Sequence, residues 1–320
     1  MVWLHRYTWL VAASTVLLIA AGGMVTSTDS GLSVPDWPNT YGWFMFSFPM
    51  DKWVGGILYE HGHRLIASTV GFLTIILAVW TWRVEPRRWV RWLSVVALGA
   101  VVVQGLLGGL TVLWFLPPAV SIGHAGLAQL FFCVTLGLVV FTSEGWRARI
   151  NPVDDPGLRR AAAAATAIVY VQILLGATMR HTGAGLAIPD VPLAFGHLLP
   201  PDWSPQIAVH FAHRVWAVAV VAAVFVATNR VWRHADRPEL VRPAVLLILL
   251  VCLQVGLGAS VVLSRLQPVI NTAHVVNGAL VLGTSLVLTL RSFRPIVDLT
   301  TVAQEDSRPA PARRPLGARS

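Results

Sequence analysis

The chain has 320 residues, of which 55% are hydrophobic and 12% charged, with a mean hydropathy of +0.66. A soluble domain carries roughly 25% charged residues, so this apolar surplus exceeds what one soluble core can hide and must face lipid. The formal charge of +9 sits in short clusters between apolar runs, without the basic stripe and interleaved aromatics of a nucleic-acid surface, which argues against nucleic acid as a partner.

A membrane span takes ~20 apolar residues, and eight candidates follow one another along the chain. The first, 8–27, is too long for a signal peptide and lacks a small-residue cleavage site, so it reads as a retained helix. A loop over 28–59, rich in Gly, Pro, Trp and Asp, leads to the second span, 60–81, which opens Glu60-His61-Gly62-His63-Arg64. Spans three and four, 92–114 and 122–142, contain Gln104 and His124. After a polar linker come 161–179, a second long loop over 180–206, and 207–230, which carries His210, His213 and Arg214. The last two spans are 244–264 and 271–290, with His274 early in the latter. The tail after Ser292 is rich in Pro, Arg and Ser and reads as disordered. Cys133 and Cys252 both lie inside apolar runs, which leaves neither a disulfide framework nor a zinc site.

Alternating sides along these spans places nineteen of the twenty-four basic residues on one face of the membrane, from Arg6 through Arg149 to the tail arginines. By the positive-inside rule that face is cytoplasmic and holds both termini. Trp80, Trp82, Trp89, Trp114 and Trp232 fall near span ends, as an aromatic belt predicts. The two long loops are then external, and long ordered loops commonly cover a site.

The sequence repeats itself. Residues 104–124 match 254–274 at eight of 21 positions, including Gln104, Pro118 and His124, and the same offset pairs His63-Arg64 with His213-Arg214. A slightly larger offset pairs Ser30-Gly-Leu-Ser-Val-Pro-Asp-Trp-Pro38 with Ala184-Gly-Leu-Ala-Ile-Pro-Asp-Val-Pro192. The expected fold is therefore all-α, a polytopic membrane protein of eight transmembrane helices in two tandem four-helix bundles related by internal duplication. Four helices per repeat is an even number, so both halves insert the same way up. The expected divisions are 1–143, a linker at 144–160, 161–291, and the tail at 292–320.

His63, His124, His213 and His274 each fall a few residues into the external end of an even-numbered span. His63 and His124 are placed to face each other in the first half, His213 and His274 in the second. A lone membrane histidine is often an interhelical hydrogen bonder. Four at matched positions point instead to metal or haem, because ionisable residues in spans are costly and two inward imidazoles can sandwich a haem iron. Each half offers too few ligands for a closed zinc site; proton relay without metal stays open.

Glu60 lies three residues before His63 on one helix face, and His210 takes its place in the second half. It serves either as a helix N-terminal anion, worth ~0.3–1 kcal/mol, or as a catalytic or proton-handling acid. Arg64 and Arg214 suit haem propionates through their guanidinium forks, or simply snorkel. His61 points about 200° from His63 and reads as a loop or interface residue; His210 shares a face with His213. His181 and His197 are loop residues within reach of a haem edge, and His5 and His234 read as cytoplasmic surface. Gly22, Gly23, Gly108, Gly176 and Gly258 read as close-packing positions between helices.

Together, Glu60-x-x-His63-Arg64, His124, His213-Arg214, His274 and the Gly-Leu-x-x-Pro-Asp loops resemble the heme A synthase family, over about 5–290. That resemblance implies an oxidoreductase of the bacterial inner membrane that converts a ring methyl of haem O to the formyl group of haem A. It implies haem O as substrate on His63 and His124 with Glu60 as the essential acid, prosthetic haem b on His213 and His274, and partners among haem O synthase and terminal oxidase assembly factors. Many bacterial members carry cysteine pairs in the external loops. Here Val34 and Thr40 stand at the first pair's positions and Ile188 and Ala194 at the second's, so a thiol-dependent step is unavailable. Two rivals use the same histidines: a di-haem b carrier of electrons from quinol, which has no need of Glu60, and a duplicated transporter relaying protons.

Overall fold

The computed structural model describes residues 1–147 and 153–294. The anticipated disordered tail, with its arginines beyond Arg294, and Arg149 lie outside the described residues. Within them the chain is helical, and the only β pairing is two isolated bridges, Thr40 with Trp43 and Ala194 with His197. Eight helices are long and apolar enough to cross a membrane: α1 (Val2–Ser27), α2 (Gly56–Val84), α3 (Arg88–Leu113), α4 (Pro118–Thr142), α6 (Pro156–His181), α7 (Pro205–Val231), α8 (Pro238–Leu263) and α9 (Pro268–Ser292). A single turn, α5 (Glu144–Arg147), follows α4. The protein is a multi-pass membrane protein, and in hydrocarbon a helix is how an isolated segment satisfies all its backbone groups.

Five of the eight long helices begin on proline. The first helical N–H has no partner in any case, so proline's fixed φ starts the helix at no cost. Asp155, Ser204 and Gln267 complete three of these starts by accepting from Leu158, Ile207 and Ile270 N–H. These caps explain why the observed helices outrun the apolar windows. α6 starts at Pro156 where apolarity alone suggested 161, so the expected linker at 144–160 is largely helix at both ends. The extra turns carry arginine and tryptophan, which suit the membrane interface.

α1 packs on α2 and α4, and α3 on α2 and α4; likewise α6 packs on α7 and α9, and α8 on α7 and α9. Leu4, Val11, Val70, Leu77, Val90, Phe131 and Leu138 form the core of the first group. Val169, Val224, Leu240, Leu247, Val281 and Leu282 belong to the core of the second. The two groups meet where α9 touches α1 and α4, and α4 touches α6. Ala12, Ile19, Phe132, Leu136 and Ala279 pack there. Gly283 permits this approach: a Cβ on it would lie 2.8 Å from Cε1 of Phe132.

Between α2 and α3 Glu85, fully buried, accepts from Arg87 at 2.7 Å and Arg147 at 3.2 Å, and its carbonyl accepts from Arg91. Burial by itself raises the Glu85 carboxyl, but hydrogen bonds from Arg87 and the charges of Arg87 and Arg147 outweigh it and hold the group below the usual range. His234, expected on the surface, joins Asp155 at 3.2 Å, and His5 contacts Thr142 Oγ1 at 3.1 Å.

Candidate functional site

The four histidines sit six to eight residues inside α2, α4, α7 and α9, at one end of each helix group. His63 and His124 stand at matched stations of α2 and α4, and His213 and His274 at matched stations of α7 and α9. Each ring faces a glycine on the preceding helix. A Cβ on Gly22 would lie 3.0 Å from Cε1 of His63; on Gly108, 3.3 Å from that of His124; on Gly176, 3.0 Å from that of His213; and on Gly258, 3.2 Å from that of His274. These glycines are thus cradles for imidazole rather than simple helix-packing positions. Nδ1 of His63, His124 and His213 is buried and has no hydrogen-bond partner. Such orphans are costly in a low-dielectric interior and suit rings meant to bind something further. Among the described residues, no group of three or more His, Cys, Asp or Glu gathers to hold a bare metal ion. Two facing imidazoles per site are the donor set of a bis-histidine haem.

A glutamine lies four residues before three of these glycines. Gln104 Nε2 donates to the His124 carbonyl at 2.9 Å, Gln172 Nε2 to that of His213 at 3.0 Å, and Gln254 Nε2 to that of His274 at 3.1 Å. The corresponding position before Gly22 is Leu18. Sequence reasoning registered Gln104 and Gln254 only as repeat markers and missed Gln172, although Gln-x-x-x-Gly recurs in α3, α6 and α8.

Two folded loops cap the histidine ends of α2 and α7. Asp36 accepts from the N–H groups of Tyr41 and Gly42 at 2.7 and 2.8 Å, and Asp190 from Phe195 and Gly196 at 2.8 Å each. Partial burial pushes Asp36 up, but the Gly42 and Tyr41 bonds outweigh it; the Gly196 and Phe195 bonds likewise hold Asp190 low. Gly42 and Gly196 close these turns at φ +76° and +77°, where glycine is unstrained. Val34, Thr40, Ile188 and Ala194 are all buried within these loops.

Glu60 shares a helix with His63 but is 3% exposed and bound upward into the first loop. Its Oε2 accepts from Val34 N–H at 2.8 Å, and its Oε1 from Arg64 at 2.6 Å. Arg64 spends its other bonds on the carbonyls of Val34, Asp36 and Asn39. Arg214 similarly reaches Leu193 and Ile188 carbonyls in the second loop. In this structure both arginines clamp the loops above their helices. His210 lies where Glu60's counterpart should: its Nδ1 is 3.3 Å from Ile188 N, the equivalent of Val34 N, and 3.0 Å from Ala184 O. The same loop station is therefore met by a carboxylate in one half and by an imidazole in the other, whose Nδ1 takes either Ile188 N–H or Ala184 O according to its tautomer.

His61 packs between Phe48 and Trp53 with Nδ1 3.1 Å from Thr40 Oγ1, beneath the loop and away from His63. His181 ends α6 near enough to His124 for their charges to interact, whereas His197 is exposed at the second loop's bridge. Unforeseen from sequence is Arg180, which crosses from α6 to donate to Gly23 O and Ser27 Oγ of α1 at 2.9 and 2.7 Å.

Comparison with known proteins points the same way. The model of the COX15-CtaA family, described as cytochrome oxidase assembly protein, matches residues 5–286. A protein of Symbiobacterium thermophilum named heme A synthase is 33% identical over 280 residues, covering 82% of this chain and 88% of its own. Proteins of the same name from Geobacillus kaustophilus and Shouchella clausii are 28% and 30% identical, covering 94% and 82% of this chain and 97% and 87% of theirs.

Proposed function

The chain belongs to the cytochrome oxidase assembly protein family, and from that premise we propose that it is an enzyme of haem A biosynthesis that oxidises a ring methyl of haem O to a formyl group. The observation that carries this reading is the pair of histidines in each helix group, each ring opposite a glycine and three of the four with an unpartnered buried Nδ1. His63 and His124 would hold the substrate haem in the first helix group. His213 and His274 would hold haem b in the second, with the division near residues 144–160.

Methyl-to-formyl oxidation consumes one water and releases four protons and four electrons in two successive two-electron steps. Bound haem b supplies a one-electron redox centre. The chain's own residues hold the macrocycle and handle protons. Glu60 is a buried carboxylate on α2, three residues before His63. Its two hydrogen bonds occupy one lone pair on each oxygen, leaving the others to accept a proton or to offset developing positive charge. Arg64 and Val34 fix where that charge sits.

The position of the basic residues supports a bacterial inner membrane protein with both termini cytoplasmic. Haem O synthase and terminal oxidases supply and consume its haem, and the loops over the histidines face outward. The test is haem extraction and chromatography on membranes that co-express this chain with a source of haem O. Haem A is expected. A protein that binds haem b but leaves haem O unchanged would be the di-haem electron carrier instead.

A further inference from the structure

The two histidine pairs are built alike but held unequally. In the second helix group both ligand candidates are clamped. Gln172 Nε2 donates to the His213 carbonyl at 3.0 Å and Gln254 Nε2 to the His274 carbonyl at 3.1 Å, fixing the backbone that carries each ring. The Gln254 clamp is itself braced, because Asn277 Nδ2 donates to Gln254 Oε1 at 2.7 Å and to Leu250 O at 2.9 Å. Trp216, one turn beyond His213, ties α7 to α6 through a 2.9 Å bond to Ile168 O.

In the first group the same stations are bare. Leu127 replaces Asn277, Ile66 replaces Trp216, and Leu18 replaces Gln172. Gln104 donates to the His124 carbonyl as its counterparts do, and its Oε1, like that of Gln172, is buried without a partner, whereas Gln254 Oε1 is held by Asn277. His63 has no glutamine at all. Polar groups buried between membrane helices hold those helices in one arrangement, since water offers no substitute for a lost partner.

We propose that Gln172 and Gln254 are positioning residues that lock His213 and His274 so that the second site retains its haem, and that Leu18 leaves His63 unclamped so that the first site exchanges haem. This rests on the reading of both pairs as haem ligands. It deepens that reading by assigning retention and turnover to side chains that contact the ligand histidines. A resident cofactor needs a rigid, preorganised ligand pair. A substrate that must leave as product needs at least one ligand free to move.

The experiment uses the purified full-length protein in detergent, loaded with haem b, and follows haem loss to excess apomyoglobin together with the low-spin electron paramagnetic resonance signal. Gln172→Met and Gln254→Met keep volume but remove the donor. Each is expected to speed loss of the slowly released haem on the order of 3- to 30-fold, from the measured range of interhelical hydrogen bonds, and to broaden or shift its low-spin signal. Gln104→Met should leave that slow phase alone. Leu18→Gln restores the missing clamp and should slow the fast phase. Folding is monitored by detergent-resistant monomer yield, and Leu18→Gln tests the idea by gain rather than loss. Unchanged release and signal in both Gln→Met variants, with haem otherwise bound normally, overturns the clamp alone. A wild-type protein that binds no haem overturns the haem reading and the clamp with it.

Discussion

Replacing Glu60 by histidine separates two roles that a simpler change confuses. Glu60→Gln puts an amide where two oxygens accept hydrogen bonds from Arg64 and Val34 N–H, so whichever way it turns, one buried donor faces another. That orphan costs ~1–3 kcal/mol, and removing the carboxylate from a buried ion pair costs up to ~3–5 kcal/mol where nothing replaces it. The three loop carbonyls that Arg64 also binds hold the loss towards the lower figure. Loop loosening and lost chemistry would then appear together. Glu60→His copies the second half, where His210 holds the equivalent loop N–H beside Arg214. The variant should keep the loop strapped while deleting the acid. Expected is near-normal protein yield and haem b content, with haem A production down on the order of 10²–10⁴-fold, the range for a lost proton-transfer or charge-stabilising group. Haem chromatography on co-expressing membranes measures it, and accumulation of a hydroxymethyl haem would place the acid in the second oxidation. Near-normal haem A from Glu60→His refutes the reasoning and reduces Glu60 to a strap.

Three further outcomes follow from the same geometry. His213→Ala or His274→Ala should remove most of the low-spin b-type absorption while His124→Ala leaves much of it; equal loss from all would contradict placing haem b on the second pair. A reporter fused after Arg319 should be active only in the cytoplasm, and periplasmic activity would overturn the eight-span topology. Because Glu85 titrates below its ordinary value of ~4.3, its contribution to stability is full above that value and is lost as pH falls through the depressed one. Acid should therefore loosen the α2–α3 turn of the wild type, seen in tryptophan fluorescence, and the Glu85→Gln variant should show a flatter response between about pH 5 and 3.

Span number, helix type and the histidine positions were legible along the chain because each depends on a local signal. Twenty apolar residues cross a bilayer whatever their neighbours, and an ionisable residue inside such a run stands out by composition alone. Helix ends were less legible: α6 begins at Pro156 because Asp155 caps it, a bond worth more locally than the apolarity of the first turn. The glycines were visible too, but not their purpose, since only the packed helices show that Gly22, Gly108, Gly176 and Gly258 each meet an imidazole.

What tertiary structure decided was direction. Helical spacing put Glu60 on the face of His63, yet a side chain at a helix end can lean towards its own helix or towards the loop above it. Four loop backbone atoms decide it: Val34 N–H donates to the carboxylate, and the carbonyls of Val34, Asp36 and Asn39 hold the Arg64 guanidinium that pairs with it, drawing it upward. Arg64 and Arg214 answer the same carbonyls, whose unmet hydrogen bonds next to a membrane are more demanding than any surface charge. Likewise the glutamines are ordinary polar residues in sequence, and they become clamps only because α3, α6 and α8 lie beside the histidine helices at the right height. A sequence records which groups are present at each turn of a helix; which of two nearby donors a buried acceptor takes depends on how the helices and loops close round it.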